Sequence, residues 1–330
     1  MKGNIDEMAR EKNTLVLDYN KMNCPNYICQ GGFGITYSGK YLNNINILTK
    51  KMIKNNLSYE NFCKELKNLK LLKHPNIPLF YGISQDSKDL MLVQQLVEGN
   101  TLSKFLKEKN VTDIDKMLIL LDLAKVLEYL HGFRFIHKDL KPENVMVDYK
   151  TLKMYLIDFG ITKDISQKSD KLHTVSELEG SIMYMAPESF DLIDISKKTS
   201  EKSQKTFFQV STKFDVWSYG CLADEVFSGN KPWMNAETNI IQFNLTVKKE
   251  YQFQRIDHIP KYNEFIKCCC ENDLQLRHDI KQTRAFLMKI FYKDLVKLMK
   301  ETDRSVSAFM NLDFISNFNV PRLSISLNNF

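Results

Sequence analysis

The order and spacing of three short polar motifs restrict the fold of this 330-residue chain more than any other feature. The run His-Lys-Asp-Leu-Lys-Pro-Glu-Asn spans residues 137–144, and Asp158-Phe159-Gly160 begins fourteen residues after its last member. Ala186-Pro187-Glu188 follows further along the chain. Each motif alone could be a surface turn, but their occurrence together in this order is not expected by chance.

With these motifs the chain resembles the eukaryotic protein kinases over roughly Asn23–Ile290. The resemblance implies an α+β, two-lobed protein kinase fold. The small β-rich N-lobe with one helix would span residues 23–95, and the larger, mostly helical C-lobe would span residues 99–290. Residues 1–22 would then form an N-terminal extension.

Hydrophobic periodicity supports the same division. The segment Tyr27–Gly39 alternates as strands do, and Ser58–Leu72 carries apolar residues at helical spacing. Ile114–Leu130 and Phe214–Phe227 are also apolar at helical spacing. The junction between the two halves, near Gln95–Gly99, is predicted to form a ligand-binding cleft.

Two further segments differ from the rest in composition. Residues 194–209 are rich in Ser, Thr, Lys and Gln and are predicted to be a flexible insertion in the C-lobe. Residues 291–330 are predicted to begin as a helix over Phe291–Lys300 and to continue as an Asn- and Ser-rich tail.

The resemblance assigns catalytic roles to the polar residues of the first two motifs. Asp139 would accept or orient the proton of the attacking hydroxyl, and Lys141 would reach the transferring phosphoryl group. Asn144 and Asp158 would supply oxygen ligands to Mg²⁺, which prefers oxygen donors and substrate phosphates. The implied cofactors are therefore ATP and Mg²⁺.

A glycine-rich segment resembles the kinase loop that covers the ATP phosphates, because glycine lets main-chain N–H groups approach a phosphate closely. The first glycine of the family pattern is replaced here by Cys29, and Thr36 stands where the family usually has valine over the adenine. The residues expected to contact the nucleotide in this region are Ile28, Gly31, Gly32, Phe33, Gly34 and Thr36.

The lysine that would hold the α- and β-phosphates has two candidates, Lys50 and Lys51. Glu65 on the predicted helix is the expected partner of this lysine. Counting from Glu65 favours Lys50 as the catalytic lysine, and the other lysine is expected to face solvent, because neighbours on a strand point to opposite faces.

The hinge between the lobes is expected at Leu92–Val97, by resemblance to the family. This alignment makes Gln94 the gatekeeper residue beside the adenine. Gln95 and Val97 would then offer main-chain hydrogen bonds to the nucleotide.

The sequence favours an active protein kinase that transfers the γ-phosphate of ATP to Ser or Thr of protein substrates in intracellular signalling. Lys141 and Ser181 resemble the serine/threonine class, and Leu178–Glu188 resembles most the tyrosine-kinase-like group. The alternative is a catalytically weak pseudokinase scaffold with the same fold, although such a protein would normally have lost a residue of the catalytic set.

Two contacts are expected to hold the C-lobe together. Glu188 is predicted to pair with Arg277, and Asp215 is predicted to bind the main chain of the catalytic loop.

A regulatory partner, or phosphorylation of one copy by another, is a further expectation. Thr174 and Ser176 are the best-placed acceptors, with Lys138 as the cation that would hold a phosphate; the alternative is that they are ordinary loop residues.

Composition excludes several other classes of protein. The net charge is only +6, and the lysines are scattered, so we expect no nucleic-acid binding. No run approaches the ~20 apolar residues that a membrane span needs. The seven cysteines have neither disulfide nor zinc-site spacing. We therefore expect a reduced, intracellular protein of the cytoplasm.

Overall fold

The structure of the protein is a computed structural model. The residues that it describes are 5, 9–10, 13–31, 34–52, 56–87, 89–108, 111–166, 181–189, 211–233, 237, 241, 251, 256, 259 and 261–301. The predicted insertion at 194–209 and the two candidate acceptors Thr174 and Ser176 lie outside these residues.

The N-lobe is built on a five-stranded antiparallel sheet and one helix. The strand order is β1-β2-β3-β5-β4. Helix α1 follows β3 along the chain and begins two residues earlier than predicted. The elements are β1 (Met22–Gly31), β2 (Gly34–Tyr41), β3 (Ile45–Met52), α1 (Asn56–Leu71), β4 (Phe80–Gln85) and β5 (Leu90–Gln95).

Helices predominate among the described residues of the C-lobe, which also form two small sheets, β10-β7 and β6-β8-β9. The predicted α+β fold with two lobes is therefore confirmed. The elements are β6 (Gly99–Thr101), α2 (Leu102–Glu108), α3 (Asp113–Gly132), β7 (Phe135–Ile136), β8 (Val145–Asp148), β9 (Met154–Leu156), β10 (Lys163–Asp164), α4 (Lys213–Ser228), α5 (Tyr262–Cys269) and α6 (Ile280–Glu301).

Helices α3 and α4 form the centre of the C-lobe core. Every residue of α4 from Asp215 to Phe227 is buried, as expected for a helix that is surrounded by protein. Helix α3 begins with a capping box between Thr112 and Asp115, and α4 ends at Gly229, whose φ of 74° suits a residue without a Cβ. Asp215, in the buried part of α4, contacts the loop that carries the first motif.

Helix α6 begins at Ile280, eleven residues before the start predicted at Phe291. Asp279 caps it: the Gln282 N–H donates to the Asp279 carboxylate, and the Gln282 side chain accepts from the Asp279 N–H. This reciprocal cap satisfies two main-chain donors at the helix start. Residues 291–300 are therefore helical as predicted, but they continue a helix that starts at the Asp-x-x-Gln cap, so the predicted start was too late.

Part of the predicted N-terminal extension packs against the sheet. Val16 forms a parallel bridge with Ile83 of the edge strand β4, and the Ile83 N–H donates to the Leu15 carbonyl. The Ser84 hydroxyl donates to the Leu17 carbonyl at 2.8 Å. Pairing of this kind covers an exposed sheet edge.

Gly82 makes this close approach possible. Its φ is +153°, and a Cβ at this position would overlap the carbonyl oxygen of Leu15. A side chain here would therefore strain the main chain and displace the N-terminal segment.

We expect Gly82→Ala to lower the free energy of unfolding by about 2 kcal/mol, measured by chemical denaturation. Gly132→Ala is the matched control, because a Cβ on Gly132 meets nothing within 4 Å and Ala favours a helix. The control is expected to change stability by less than about 1 kcal/mol. Equal stability of the two variants would contradict the role of Gly82.

Candidate active site

A buried carboxylate, Asp215 of α4, holds the loop that carries the first motif. It accepts hydrogen bonds from the main-chain N–H groups of His137 and Lys138, at 2.9 and 3.0 Å. His131 Nε2 lies 2.9 Å from the same carboxylate. Burial alone would raise the pKa of Asp215, but these partners outweigh it and lower the pKa, so the group is a carboxylate. The predicted contact between Asp215 and the catalytic loop is confirmed.

Asp139 lies at the centre of the site and is held by three donors. Its carboxylate accepts from the Ser181 N–H at 2.9 Å and from Asn144 Nδ2 at 2.9 Å, and Lys141 Nζ lies at 2.8 Å. Burial raises the pKa of Asp139, but Lys141 and Ser181 outweigh burial and lower it below its usual range. The group is therefore ionised at neutral pH and can accept a proton or a hydrogen bond.

Lys141 and Asn144 are fixed by the same network. The Lys141 ammonium also donates to the Ser181 hydroxyl at 2.7 Å, which links the catalytic loop to the segment that precedes Ala186-Pro187-Glu188. Asn144 Nδ2 donates to the Asp139 carbonyl as well, at 2.7 Å. Because the side-chain nitrogen of Asn144 donates to Asp139, its amide oxygen points away from Asp139.

Asp158 lies at the start of the second motif in a left-handed main-chain conformation, with φ of 64°. Its carboxylate accepts from the Gly160 N–H at 3.3 Å, and 39% of its side chain is exposed. The next side chain, Phe159, is buried and packs edge-on against the ring of His137, with centroids 5.4 Å apart. Asp158 is thus turned outward while Phe159 anchors the segment in the core.

Lys50, and not Lys51, pairs with Glu65. Its ammonium lies 2.8 Å from both Glu65 oxygens and 3.4 Å from the Asp158 carboxylate. Burial alone would lower the pKa of Lys50, but the two carboxylates outweigh burial and raise it above the usual lysine value. The ion pair with Glu65 thus holds the Lys50 ammonium beside the Asp158 carboxylate.

Lys51 occupies the opposite face of β3. Its ammonium bonds to the carboxylate of Asp86 at 2.8 Å and lies over the ring of Tyr37. We expected this lysine to face solvent. It does lie on the outer face of the sheet, but its ion pair with Asp86 shields it in part from water.

The glycine-rich segment forms the β1–β2 hairpin. Gly31 pairs with Gly34 across the turn, and Gly32 and Phe33 lie outside the described residues. A Cβ on Gly34 would overlap the carbonyl oxygen of Lys51, so the close packing of β2 on β3 requires a glycine there.

The two other residues expected near the nucleotide in this region, Ile28 and Thr36, lie on the two strands of this hairpin, as does Cys29. Thr36 pairs with Cys29 on one side and with Lys50 on the other, which places the three side chains on one face of the sheet. Ile28 falls at a register irregularity between Tyr27 and Cys29 and is 45% exposed. The pairing of the strands thus places Thr36 and Cys29 on the same face of the sheet as Lys50.

The hinge residues continue β5 into the C-lobe. Gln94 pairs with Leu48 and therefore shares the inner face of the sheet with Lys50. The Gln95 N–H donates to the Leu79 carbonyl at 2.8 Å. Of the two main-chain groups of Gln95, the carbonyl is therefore the one that could hydrogen-bond a nucleotide. Val97 is buried, and its carbonyl accepts from the Gly99 N–H at 3.0 Å.

The donor atoms in this cleft fit Mg²⁺ and a nucleoside triphosphate. The Asn144 amide oxygen and the Asp158 carboxylate are oxygen ligands of the kind that Mg²⁺ takes together with phosphates. Within the described part of the chain, no group of three or more His, Cys, Asp or Glu could hold a metal. Mg²⁺ in such sites usually takes its remaining ligands from substrate phosphates and water.

Glu188 of the third motif is tied to Arg277 beneath the site. The guanidinium donates to both Glu188 oxygens, at 2.7 and 3.0 Å, and also to the carbonyls of Lys213 and Glu271. The Arg277 Cζ lies 5.0 Å from the Trp217 ring centroid. The predicted Glu188–Arg277 pair is confirmed, and four hydrogen bonds from the guanidinium offset the cost of burying its charge.

Comparison with known proteins agrees with this geometry. A family model of the protein kinase domain matches residues 24–286. The chain belongs to the protein kinase family. This family uses ATP and Mg²⁺ as cofactors.

Individual relatives of this kinase domain are similar at modest identity. MAP kinase kinase kinase SSK2 of Saccharomyces cerevisiae is 27% identical over 282 residues, which cover 74% of this chain and 17% of the relative. Serine/threonine-protein kinase SSK22 of the same yeast is 25% identical, over 76% of this chain and 20% of the relative. Rust resistance kinase Lr10 of Triticum aestivum is 28% identical, over 61% of this chain and 31% of the relative.

The chain thus spans a third or less of the length of these relatives. Among the helices that the structure describes, none combines the length and the apolar character needed to cross a membrane.

Three contacts in and around the site were not predicted from the sequence. His131 supports Asp215, Asp86 pairs with Lys51, and Asn68 of α1 binds the main chain of the second motif. Each joins residues far apart in the chain. An Asn within a helix that carries many polar residues gives no indication by itself that it is buried.

We expect Lys50→Met to reduce the phosphotransfer rate by about 100-fold or more, because it removes the cation beside Glu65 and Asp158. Lys51→Met is the matched control on the opposite face of the strand, and we expect it to change the rate by less than about threefold. Initial rates at saturating Mg·ATP provide the measurement. A larger loss in the Lys51 variant would contradict the assignment of Lys50.

Proposed function

We propose that this kinase domain transfers the γ-phosphate of ATP to Ser or Thr hydroxyls of protein substrates. The observation that carries the proposal is the Asp139 network, in which an ionised carboxylate is held by Ser181, Asn144 and Lys141. A carboxylate so placed can orient an attacking hydroxyl, which is the main requirement of phosphoryl transfer beyond charge neutralisation.

Asp139 acts on the nucleophile. Because its pKa is lowered, it is ionised at neutral pH and accepts a hydrogen bond from the substrate hydroxyl. The three donors fix its direction, so little reorganisation is needed when the substrate arrives.

Two lysines neutralise the charge of the phosphates. The Lys50 ammonium is held by Glu65 on the N-lobe side of the cleft, and the Lys141 ammonium is held between Asp139 and Ser181 on the C-lobe side. Mg²⁺, when bound, neutralises phosphate charge, and Asn144 and Asp158 are the residues that would hold it. Such fixed positive charge stabilises the transition state in a site that excludes water.

The nucleotide itself would lie under the β1–β2 hairpin. We assign contacts with its phosphates and adenine to the hairpin residues Ile28, Gly31, Gly32, Phe33, Gly34 and Thr36, and to the main chain of Gln95 and Val97. The position of Thr36 and Cys29 on the Lys50 face supports this assignment.

The preference for Ser and Thr rests on Lys141 and Ser181. Lys141 donates to the Ser181 hydroxyl at 2.7 Å, and the Ser181 N–H donates to the Asp139 carboxylate at 2.9 Å. Two of the relatives above are yeast proteins named as a MAP kinase kinase kinase and a serine/threonine-protein kinase. We propose that the protein acts in intracellular signalling in the cytoplasm, on protein substrates and on other copies of itself.

We expect Asp139→Asn to reduce the phosphotransfer rate by about 1000-fold or more while Mg·ADP affinity changes by less than about threefold. The amide keeps the shape of the side chain but cannot accept a proton. Transfer of labelled phosphate to a basic protein substrate, with phosphoamino-acid analysis of the product, measures the rate and the acceptor.

Asp148→Asn is the control, because this carboxylate caps an exposed turn at the end of β8. It is expected to retain the wild-type rate. Nucleotide binding without transfer in the wild type would favour the pseudokinase scaffold, and mainly phosphotyrosine in the product would refute the proposed acceptor.

A further inference from the structure

Asn68 is a buried polar residue in the middle of α1 that the catalytic scheme does not use. Its side chain is 4% exposed. Nδ2 donates to the Phe159 carbonyl at 3.1 Å and to the Thr162 carbonyl at 3.1 Å. Both partners are acceptors, so the amide NH₂ must face them and both of its hydrogens are used.

The two carbonyls belong to one turn. The Thr162 N–H donates to the Phe159 carbonyl at 3.3 Å, which closes a four-residue turn directly after Asp158. Asn68 therefore binds the first and the last residue of this turn. A single side chain fixes the shape of the segment and its distance from α1.

Glu65 and Asn68 lie three residues apart on one face of α1. Glu65 holds Lys50, and Lys50 in turn lies 3.4 Å from Asp158. The contacts thus form a closed ring that runs from Lys50 through Glu65, α1 and Asn68 to the Asp158 segment and back to Lys50. A displacement of α1 would break the ring at two places.

A second contact between the same elements is much weaker. Lys67 lies 3.4 Å from Asp164 of β10, with 57% of the lysine side chain exposed, so solvent screens this ion pair. Asp164 belongs to the short strand that pairs with β7, which precedes the catalytic loop. The buried amide of Asn68 is therefore the stronger link between α1 and this segment.

We propose that Asn68 is a positioning residue that holds α1 and the Asp158-Phe159-Gly160 segment together, so that Lys50 and Asp158 face the same nucleotide. Because the link is made between groups of the chain itself, the arrangement is assembled before the nucleotide binds. Loss of the link lowers the fraction of molecules that are ready to bind, and apparent nucleotide affinity falls by that fraction.

Hydrogen exchange of the unliganded protein tests this directly in Asn68→Leu, which removes both donors. We expect amides of residues 158–164 and of α1 to exchange roughly tenfold faster than in the wild type. Thr283→Val is the matched control, because it removes the buried hydroxyl by which Thr283 of α6 donates to the carbonyl of the cap residue Asp279. The control is expected to leave exchange at 158–164 unchanged.

Kinetics distinguish positioning from a general loss of stability. In Asn68→Leu we expect the KM for ATP to rise roughly tenfold, with kcat at saturating ATP changed by less than about threefold, because bound nucleotide restores the assembled state. Thr283→Val should change neither quantity. A lower kcat with an unchanged KM would overturn the proposal.

Asn68→Ser is a second variant that separates loss of the hydrogen bonds from a steric effect of leucine. Serine is smaller than asparagine and too short to reach both carbonyls. The same local exchange in both variants supports the proposal. Unchanged exchange at 158–164, acceleration spread evenly over the protein, or failure of both variants to fold would overturn it. The kinetic test rests on the proposed function, whereas the exchange test does not, so a wild type without phosphotransfer would refute the function alone.

Discussion

The position of the catalytic loop depends on the hydrogen bonds that its main chain donates to the Asp215 carboxylate. A charge in the core costs several kcal/mol unless donors surround it, and here the N–H groups of His137 and Lys138 and the ring of His131 do so. The loop is thereby fixed to α4, whose residues from Asp215 to Phe227 are all buried. Asp139 and the residues that hold it then project from a rigid base, as an oriented catalytic group requires.

The two halves of the site are joined at His137 and Phe159. The His137 main chain binds Asp215, while its ring packs against Phe159. The Phe159 carbonyl accepts from Asn68, whose helix carries Glu65. A continuous series of buried contacts therefore runs from the centre of the C-lobe to the N-lobe lysine, and Asp158 lies where the two lobes meet.

The resemblance of the motifs to those of protein kinases predicted the fold. It also implied the Asp215 contacts and the Glu188–Arg277 pair. The binding of Val16 to β4 and the contacts of Asn68 could not be predicted, because they depend on tertiary packing between segments far apart in the chain. Periodicity identifies the face of a helix, but it does not identify which polar residue on that helix finds a buried partner.

The central claim is that the chain's own contacts assemble a nucleotide site in which Lys50, Asn144 and Asp158 act together. A crystal structure of the protein with Mg²⁺ and a non-hydrolysable ATP analogue tests it most directly. We expect the metal to be bound by Asn144 and Asp158, the phosphates to contact Lys50, and the Lys50–Glu65 pair to persist. A nucleotide bound away from these residues, or a metal held without Asn144 and Asp158, would contradict the account.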